Sequence, residues 1–156
     1  MINRIGVISD THGFFDERIA ELFAGVSLIL HAGDVGSDHI LERLSHLAPV
    51  CAVRGNVDAD GSCATLPESV QIIVSGYTIF MTHIFNLPED GPSPDLPDPA
   101  PDVAIFGHSH KQCHLNREDT LYLNPASAGR QRFTNPRSLI ILSVDSDSLE
   151  ARLVAL

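Results

Sequence analysis

Basic residues are scarce in this sequence, and they form no cluster. Lysine and arginine together number 10 against 20 aspartate and glutamate residues, which gives a formal net charge of -10. This negative field would repel nucleic-acid phosphates and anionic lipid surfaces, so we expect neither nucleic-acid binding nor membrane binding. Carboxylates and imidazoles gathered in one place would instead attract cations.

Long hydrophobic runs are also missing. No stretch of about 18 apolar residues occurs, so no transmembrane helix is expected. The opening MINRIGVISD lacks the apolar region and the small-residue cleavage site of a signal peptide. The three cysteines, Cys51, Cys63 and Cys113, show no CxxC spacing, which favours reduced thiols over disulfides or a zinc ribbon. Together these features predict a cytoplasmic protein.

Length and residue pattern predict one domain of the α/β class. A chain of 156 residues can bury one sizeable core and is short for two domains, so we assign residues 1–156 to a single domain. In the first half, short apolar runs at 5–9, 27–34 and 50–53 alternate with helical patterns at 16–23 and 37–47. This alternation is typical of parallel strands joined by crossover helices.

The second half predicts β-structure interrupted by a proline-rich loop. Six short β runs occur, and the first two are joined by a Ser75-Gly76 turn. Six prolines lie in residues 86–101, where they remove hydrogen-bond donors and disfavour helix. We expect an extended loop there, which serves as a lid, a partner-binding segment or a plain surface connection. The number of strands indicates two packed sheets with helices outside them.

Seven polar side chains follow apolar runs at the points where strands are expected to end. They are Asp10, His12, Asp34, Asn56, His83, His108 and His110. Ligands of open α/β sheets bind beyond the carboxyl ends of parallel strands, so these side chains are expected to converge. Seven oxygen and nitrogen donors exceed the needs of one tetrahedral zinc and suit two metal ions that share a carboxylate. Taken singly, each donor also has an ordinary explanation as a turn residue or a hydrogen-bonded histidine.

The ordered motifs DTHG, GD, GN, a strand-end histidine and GHSH resemble those of the calcineurin-like metallophosphoesterases. In length and order the chain is similar to their small bacterial and archaeal phosphodiesterase branch, and NPAS at 124–127 also matches a segment of that branch. The resemblance implies a four-layer α/β/β/α sandwich of two mixed β-sheets flanked by helices. It also implies an enzyme that hydrolyses phosphate esters, diesters more readily than monoesters, with a water activated by a dinuclear metal centre.

The resemblance further implies how two divalent ions share the donors, with Asp34 as the bridge. One ion would be bound by Asp10, His12, Asp34 and His110, and the other by Asp34, Asn56, His83 and His108. Nitrogen and carboxylate ligands favour manganese, iron, nickel or zinc over magnesium, and we expect Mn²⁺. The substrate would be a small-molecule phosphate ester, and the fold is compatible with a homo-oligomer.

The sequence departs from the family pattern directly after the GN asparagine. Members of the family carry a histidine there, or a cysteine in the small branch, as a candidate proton donor to the leaving group. Here the residue is Val57, which has no proton to transfer. Asp58 is the nearest titratable substitute, and a solvated turn carboxylate is an equally good explanation of it.

Further departures lie in two loops. Ile84 follows the strand-end histidine and Ala126 stands in NPAS, both at positions where glycine is common in the family, and these changes are expected to reshape the loop of His83. Three arginines have guanidinium groups that suit phosphate oxygens, but no spacing rule selects them, so we expect surface or structural roles. They are Arg54, Arg130 and Arg132.

Readings from different functional classes remain open at this point. Retention of every recognisable metal ligand favours an enzyme. Val57 and the proline-rich loop favour a catalytically weak protein that acts as an interaction scaffold, because a retromer subunit shares the fold and resembles a phosphoesterase used in that way. A structural α/β domain would have to explain seven coincidental donors. None of these ligands identifies the natural substrate.

Overall fold

The computed structural model describes residues 2–156, which contain ten strands, two α-helices and one 3-10 helix. The strands are β1 (Asn3–Ile8), β2 (Leu28–His31), β3 (Val50–Ala52), β4 (Ser69–Val74), β5 (Tyr77–Thr82), β6 (Val103–Ile105), β7 (Cys113–Arg117), β8 (Thr120–Asn124), β9 (Ser138–Val144) and β10 (Leu149–Ala155). The helices are α1 (Arg18–Leu22) and α2 (Asp38–Ser45), and the 3-10 helix spans Gly61–Thr65.

The first sheet has the strand order β10-β9-β1-β2-β3. Strand β1 pairs in parallel with β2, and β2 pairs in parallel with β3. The hairpin of β9 and β10 adds antiparallel strands on the other side of β1. Helices α1 and α2 lie in the two connections between the parallel strands. The alternation predicted for the first half of the chain is therefore confirmed.

Helix α2 illustrates how the local sequence sets this arrangement. Ser37 has an extended backbone and precedes the first helical residue, as expected of an N-cap, although its side chain makes no capping hydrogen bond. Ile40 and Leu44 lie one turn apart and are fully buried in a cluster with Ile29 of the first sheet. This apolar stripe fixes the face that the helix turns toward the sheet.

The second sheet has the strand order β4-β5-β6-β8-β7. The predicted turn between β4 and β5 has φ of 50° at Ser75 and 86° at Gly76, as a tight hairpin of the I′ type requires. Strands β5, β6 and β8 are parallel, and β7 is antiparallel to β8 at the edge. The sequence pattern does not predict β7, because CHLNR holds too few apolar residues to show a period; pairing with β8 determines this strand.

The main core lies between the two sheets. Alternate residues of the central strands face inward, for example Val7 and Leu30 of the first sheet and Ile105 and Leu123 of the second, all with 0% exposure. Each such side chain contributes about 1.5–3 kcal/mol by leaving water. The inward faces therefore hold the sheets together and fix their relative position.

The two outer faces of the sandwich are covered differently. Helices α1 and α2 pack on the first sheet. On the second sheet, Tyr122 and Phe106 pack against Phe85, Leu87 and Leu96, and the rings of Phe85 and Phe106 stack with centroids 4.9 Å apart. The predicted two-sheet α/β fold is confirmed, but its fourth layer in residues 86–101 has neither helix nor strand, because the prolines there exclude both.

Side chains of the second sheet hold the proline-rich segment in place by donating hydrogen bonds to its backbone carbonyls. The guanidinium of Arg117 on β7 donates hydrogen bonds to the carbonyl oxygens of Pro88 at 2.6 Å, Glu89 at 2.9 Å and Gly91 at 3.2 Å. The hydroxyl of Thr120 donates to the carbonyl of Pro101 at 2.8 Å. Side chains of the second sheet thus satisfy carbonyl groups that have no partner strand.

The carboxyl ends of the parallel strands meet at one end of the sandwich. The N–H of Asp10, after β1, donates to the carbonyl of Gly33, after β2, at 3.0 Å. The N–H of Gly107, after β6, donates to the carbonyl of His83, after β5, at 3.1 Å. Polar loops from both sheets are therefore neighbours there. Within residues 2–156, no helix combines the length and the apolar character needed to cross a membrane.

Candidate metal centre

Loops at the carboxyl ends of five strands carry the seven predicted donors, and the structure brings all seven side chains together. Asp10 and His12 follow β1, Asp34 follows β2, Asn56 follows β3, His83 follows β5, and His108 and His110 follow β6. Three of these strands belong to the first sheet and two to the second. The packing of the two sheets against each other therefore closes the cluster.

Asp10, His12 and His110 form the first group of donors, and their candidate ligand atoms lie within 4.8 Å of one another. His110 Nε2 is 3.1 Å and His12 Nε2 is 3.6 Å from Oδ1 of Asp10. The two Nε2 atoms are 3.4 Å apart. Asp10 is fully buried, and both histidines are half-buried at the cavity wall. The three side chains thus converge on one point beside Asp10.

Asp34, His83 and His108 form the second group, with Asn56 between them. His83 Nε2 is 3.1 Å from Oδ2 of Asp34 and 3.0 Å from Oδ1 of Asn56. His108 presents Nδ1 rather than Nε2, at 3.0 Å from the same Asn56 oxygen. Asp34 and His83 are buried, whereas His108 is exposed. This group therefore faces the solvent on the His108 side.

Asp34 lies between the two groups. Its Oδ2 is 3.1 Å from Nε2 of His83 in one group and 3.8 Å from Nε2 of His12 in the other. Its Oδ1 accepts a hydrogen bond from the N–H of Val57 at 3.0 Å, which fixes the carboxylate plane. One oxygen of the Asp34 carboxylate therefore lies near a histidine of each donor group.

The backbone is left-handed at five of the seven donors. The φ angle is 55° at Asp10, 47° at His12, 55° at Asp34, 70° at His108 and 58° at His110. Such conformations cost about 1–2 kcal/mol each, although aspartate and histidine adopt them more often than most residues. They turn each loop sharply, so that both residues of the i and i+2 pairs in DTH and HSH reach the cluster. Strain of this kind concentrates at functional sites.

Contacts on the outer side of the cluster orient the donors. The hydroxyl of Ser9 and the N–H of His108 donate to Oδ2 of Asp10 at 2.6 and 3.1 Å, which leaves Oδ1 facing the histidines. His83 Nδ1 is 2.7 Å from the carbonyl of Ala32, so this nitrogen carries the proton and Nε2 faces the cluster. Gly107 is required here, because a Cβ would lie 2.6 Å from Oδ2 of Asp10. The donors are therefore held in place before any ligand binds.

The chemistry of the cluster fits a cation. Oδ1 of Asp10 is buried and has no hydrogen-bond partner in residues 2–156, although Nε2 of His110 lies 3.1 Å away. A buried carboxylate oxygen without a partner is costly. Carboxylate, amide and imidazole atoms are the ligands that manganese, iron, nickel and zinc share. The residues therefore fit divalent metal ions.

The charge on Asp10 is stabilised by its neighbours. Burial raises the pKa of Asp10, but the imidazoles of His110 and His12 and the hydroxyl of Ser9 outweigh burial and hold the pKa well below its usual range. A carboxylate that stays ionised while buried attracts a counter-cation strongly. Asp10 thus presents a negative charge to the cluster.

His83 and Asp34 influence each other in opposite directions. Burial lowers the pKa of His83, but Asp34, Asp10 and the carbonyl of Ala32 raise it more, so that the net direction is upward. Burial raises the pKa of Asp34, and the imidazole of His83 and the N–H of Val57 lower it below its ordinary value. A metal ligand must offer a free lone pair, and with its proton on Nδ1 the His83 ring has that lone pair on Nε2, beside Asp34 and Asn56.

A family model described as the calcineurin-like phosphoesterase superfamily domain matches residues 4–147 of the chain. The chain belongs to this superfamily. The predicted family resemblance is therefore confirmed. Membership also agrees with the grouping of carboxylates and histidines at the ends of parallel strands.

Two curated relatives are similar to this chain over most of its length. A probable metallophosphoesterase of Methanothermobacter thermautotrophicus is 36% identical over an alignment of 159 positions, gaps included, that covers 96% of this chain and 91% of the relative. The phosphodiesterase YfcE of Escherichia coli K12 is 30% identical over an alignment of 162 positions, gaps included, that covers 88% of this chain and 85% of that protein. A solved structure of Vacuolar Protein Sorting 29 from Cryptosporidium parvum superposes with a TM-score of 0.80 at 20% identity, covering 99% of this chain and 92% of the other. At this identity the superposition shows a shared fold.

This chain also contains a buried histidine that the sequence motifs do not select. His31 ends β2 and has 0% exposure. The N–H of Gly33 donates to its Nδ1 at 3.2 Å, so Nε2 carries the proton and donates to Oγ1 of Thr11 at 3.0 Å. The Thr11 hydroxyl in turn donates to the carbonyl of Val35 at 2.9 Å. Burial lowers the pKa of His31 to about 4, so the ring is neutral at neutral pH.

This chain of hydrogen bonds connects two donor loops. Thr11 lies between Asp10 and His12, and Val35 directly follows Asp34. His31 therefore sets the spacing of the loops that carry the first group and the bridging carboxylate. The signal in the sequence is a histidine that ends the otherwise apolar run SLIL.

Asp58 is not the solvated turn carboxylate that the sequence allowed. It is 5% exposed, and its carboxylate accepts hydrogen bonds from the N–H groups of Val35 at 3.2 Å, Gly36 at 3.0 Å and Gly55 at 2.8 Å. These bonds tie the loop after β3 to the loop after β2. Because both oxygens are directed at backbone donors, Asp58 serves the structure of the loops and is poorly placed to protonate a leaving group.

Two cavities adjoin the cluster, and Asn56 lines both. The larger, of about 390 Å³, lies over both donor groups and is also lined by Val57. The smaller, of about 280 Å³, is lined by His83 and Ile84. Val57 is 46% exposed and Ile84 is 58% exposed. Val57 and Ile84, two of the departures from the family pattern, therefore face open space beside the cluster. His83 still lies among the donors.

The three arginines singled out from the sequence differ in their surroundings. Arg54 forms an ion pair with Glu68 at 2.7 Å, and the guanidinium of Arg130 lies 4.5 Å from the ring centroid of Phe14. These are structural roles, as expected. Arg54 also lines the smaller cavity, and Arg132 lines the larger one. The arginines that form ion pairs within residues 2–156 are Arg18, Arg43, Arg54 and Arg137, so the charge of Arg132 is left for the cavity.

Proposed function

We propose that this chain is a metal-dependent phosphodiesterase that hydrolyses small phosphate diesters with two divalent ions bound at the seven-donor cluster. The observation that carries the proposal is Oδ1 of Asp10, a buried carboxylate oxygen that faces the imidazoles without a hydrogen-bond partner in residues 2–156. A bound cation removes the cost of burying this atom. Relatives named as a metallophosphoesterase and a phosphodiesterase support the class of reaction.

In this proposal each ion binds one of the two donor groups. The first ion takes Asp10, His12 and His110, the second takes His83, His108 and Asn56, and both take Asp34. The position of Asp34 Oδ2, at 3.1 Å from His83 and 3.8 Å from His12, supports the bridging role. Four imidazoles, two carboxylates and one amide suit Mn²⁺, and iron, nickel and zinc accept the same ligands.

When bound, two divalent ions supply a water of lowered pKa and positive charge for the phosphate oxygens. The protein orients the carboxylates that would bind these ions. The N–H of Val57 holds Oδ1 of Asp34, so that Oδ2 stays between the two donor groups. The hydroxyl of Ser9 holds Oδ2 of Asp10, so that Oδ1 faces the histidines. Arg132 lines the same cavity, and its guanidinium would suit a phosphate oxygen of the incoming ester.

The leaving group receives no proton from position 57 in this proposal, because valine has none. Asp58 is bonded to three backbone N–H groups and does not replace the missing acid. Esters whose leaving groups depart as stable anions need no such acid. Aryl esters are therefore the substrates on which the largest turnover is expected.

Two cavities beside one cluster support diesters over monoesters. A diester carries two organic groups on one phosphorus, and a monoester carries one. Cavities of about 390 and 280 Å³, both lined by Asn56, offer room for one small organic group each. The name of the relative YfcE, a phosphodiesterase, supports the same preference.

The test is hydrolysis of bis(4-nitrophenyl) phosphate by metal-stripped protein, before and after Mn²⁺, Fe²⁺, Ni²⁺, Zn²⁺ or Mg²⁺ is restored. We expect Mn²⁺ to restore turnover, Asp34→Asn to abolish it, and the matched variant Asp119→Asn, far from the cluster, to retain it. Calorimetric titration of Mn²⁺ into the stripped protein gives the stoichiometry, which should be two ions per chain. Failure of the parent protein to bind any of these ions would overturn the proposal.

A second candidate function, a protein-interaction scaffold with a weak or silent metal centre, is favoured by Val57, which removes the usual acid. The experiment above separates the two. Two bound ions without cleavage of any diester would favour the scaffold, and turnover that Asp34→Asn abolishes would exclude a silent centre. The cytoplasmic location and the homo-oligomer stay predictions; the three cysteines are free thiols, in keeping with the first.

A further inference from the structure

Exposed apolar side chains gather around the candidate metal centre. Within residues 2–156, the large hydrophobic residues that are exposed are Ile2, Val57, Ile73, Ile84 and Phe133. Val57 and Phe133 line the larger cavity beside the cluster, and Ile84 lines the smaller one. Scattered exposed hydrophobic residues need no explanation, but a concentration of them around one site indicates contact with an apolar group.

Phe133 is the most exposed of these residues, at 95%. Its φ is 53°, a conformation that bulky residues rarely adopt. The side-chain amide of Gln131 donates hydrogen bonds to the carbonyls of Phe133 at 3.2 Å and Asn135 at 2.6 Å, which stabilises this turn. The aromatic ring is thus presented to solvent at the wall of the cavity that holds both donor groups.

The loop that carries Phe133 is anchored to the body of the protein. The guanidinium of Arg137 forms an ion pair with Asp16 at 3.1 Å and donates to the carbonyls of Ala128, at 3.1 Å, and Gly129. The two ends of the segment 130–136 are therefore held in place, and the hydrogen bonds of Gln131 restrain the turn within it. A segment restrained in this way loses less conformational entropy than a free one when a ligand packs against it.

The walls of the larger cavity differ in chemistry. One part consists of metal-ligand candidates, and another is formed by Arg132 together with the apolar residues Val57 and Phe133. A phosphate ester has the same two parts, an anionic phosphoryl group and an organic group. With the phosphoryl group at the donors and Arg132, the organic group would meet Val57 and Phe133.

We propose that, in the phosphodiesterase reaction proposed above, Val57 and Phe133 bind one organic group of the ester and make the site select aromatic groups over small aliphatic ones. The proposal rests on that reaction and adds the class of substrate to it. Ile84 provides an apolar contact for the second organic group in the smaller cavity. An aromatic group that packs on the ring of Phe133 is expected to bind up to about tenfold more tightly than a methyl group.

The kinetic test uses two diesters with the same 4-nitrophenyl leaving group, phenyl 4-nitrophenyl phosphate and methyl 4-nitrophenyl phosphate. Each rate is referenced to uncatalysed hydrolysis, so that only the retained group differs. We expect kcat/KM of the Mn²⁺-loaded protein to favour the phenyl ester about tenfold, mostly through KM. Phe133→Ser should reduce the preference to less than about threefold, and Val57→Thr should reduce it by a smaller factor.

Ile73→Ser is the matched control for these variants. Ile73 is 74% exposed on edge strand β4 and lines neither cavity beside the cluster, so the substitution removes a comparable exposed side chain. Its kinetic constants and its phenyl-to-methyl preference should equal those of the parent protein. Equal kcat/KM for the two esters in the parent, or a preference that survives in Phe133→Ser, would overturn the proposal.

A binding experiment separates this proposal from the proposed reaction. Phenylphosphonate and methylphosphonate are titrated into the Mn²⁺-loaded protein by calorimetry, where no bond is broken. Tighter binding of phenylphosphonate, lost in Phe133→Ser and kept in Ile73→Ser, supports the apolar subsite even if no diester is cleaved and the proposed reaction fails. Equal binding of both phosphonates, or binding of neither, overturns the subsite.

Discussion

The two ends of the sandwich carry similar residue types, but only one of them assembles a candidate metal centre. At the carboxyl ends of the parallel strands, two groups of donors lie within 4.8 Å. At the opposite end a larger cavity, of about 610 Å³, is lined by five side chains that bind metals elsewhere: Asp102, His114, Asp119, Asp147 and Glu150. Within residues 2–156, these form no group of three converging ligand atoms.

Burial and local hydrogen bonding explain why only one of the two ends gathers converging ligand atoms within residues 2–156. Asp10 and Asp34 are 0% and 3% exposed, whereas all four acidic residues of the opposite cavity are exposed. The opposite end consists mostly of turns, whose polar groups are satisfied locally; Asp102, for example, accepts the N–H of Thr78 at 2.7 Å. An exposed carboxylate is solvated by water and has little need of an ion. Convergence and burial of the donors, with one carboxylate oxygen left unpartnered, therefore distinguish the candidate metal centre from a merely acidic surface.

The largest expected effect comes from removing the unpartnered oxygen. Asp10→Asn should lower kcat/KM for bis(4-nitrophenyl) phosphate by at least about a thousandfold, because one ion contributes several kcal/mol of charge stabilisation. Asp119→Asn makes the same chemical change at the opposite end and should leave kcat/KM within about twofold of the parent. Equal losses in both variants would break the comparison between the two ends.

Acid should destabilise the folded protein through His31. Its pKa is about 4 when folded and 6.5 ordinarily, so between these values the unfolded chain binds a proton that the folded chain does not. Stability is therefore full above pH 6.5 and falls as the pH drops toward 4, by about 3 kcal/mol in total.

Denaturant unfolding of metal-free protein across this pH range measures the effect. In His31→Gln the free energy of unfolding should depend on pH less steeply, by the uptake of one proton. In His114→Gln, at an exposed site of the opposite end, the pH dependence should equal that of the parent protein. An unchanged slope in His31→Gln would show that the buried ring does not carry the effect.

Thr11→Val should weaken Mn²⁺ binding about 10- to 100-fold, because the hydroxyl joins His31 to Val35 and so positions two donor loops. Thr120→Val is the matched control, since its buried hydroxyl donates to the carbonyl of Pro101 at the opposite end. Both variants should lose about 1 kcal/mol of stability. Calorimetry should detect weaker metal binding in Thr11→Val alone, and equal affinities would assign Thr11 a purely structural role.

The smallest expected effect concerns backbone strain. Ala126 is fully buried with φ of 63°. Ala126→Gly relieves backbone strain but also loses a buried methyl group and adds chain entropy, so the free energy of unfolding should rise by up to about 1 kcal/mol. Glu118→Gly, at φ of 54° in the turn after β7, should gain a similar amount at the opposite end. Ala128→Gly, buried without a positive φ, should lose about 1 kcal/mol. Thermal melting in the absence of metal measures all three, and a loss in Ala126→Gly would contradict the strain argument.

Much of the fold was predictable because its signals are local. The apolar runs before Asp10, Asp34 and His108 each become a buried strand, and the stripe of Ile40 and Leu44 becomes the buried face of α2. Strand β7 and the cover of the second sheet were not predictable in this way. The first depends on its partner strand, and the second depends on how a proline-rich segment meets Phe106 and Tyr122.

The residue types of the candidate site, their places after apolar runs, and the family can be recognised from the sequence, because a carboxylate or an imidazole that ends a strand is a local signal. Which donors are neighbours depends on the packing of the two sheets, since His12 and His110 are 98 residues apart in sequence and their Nε2 atoms are 3.4 Å apart in space. The tertiary structure likewise decided that Asp58 is buried, that His31 links two loops, and that Phe133 lines the cavity, because burial and contact depend on how the two sheets pack.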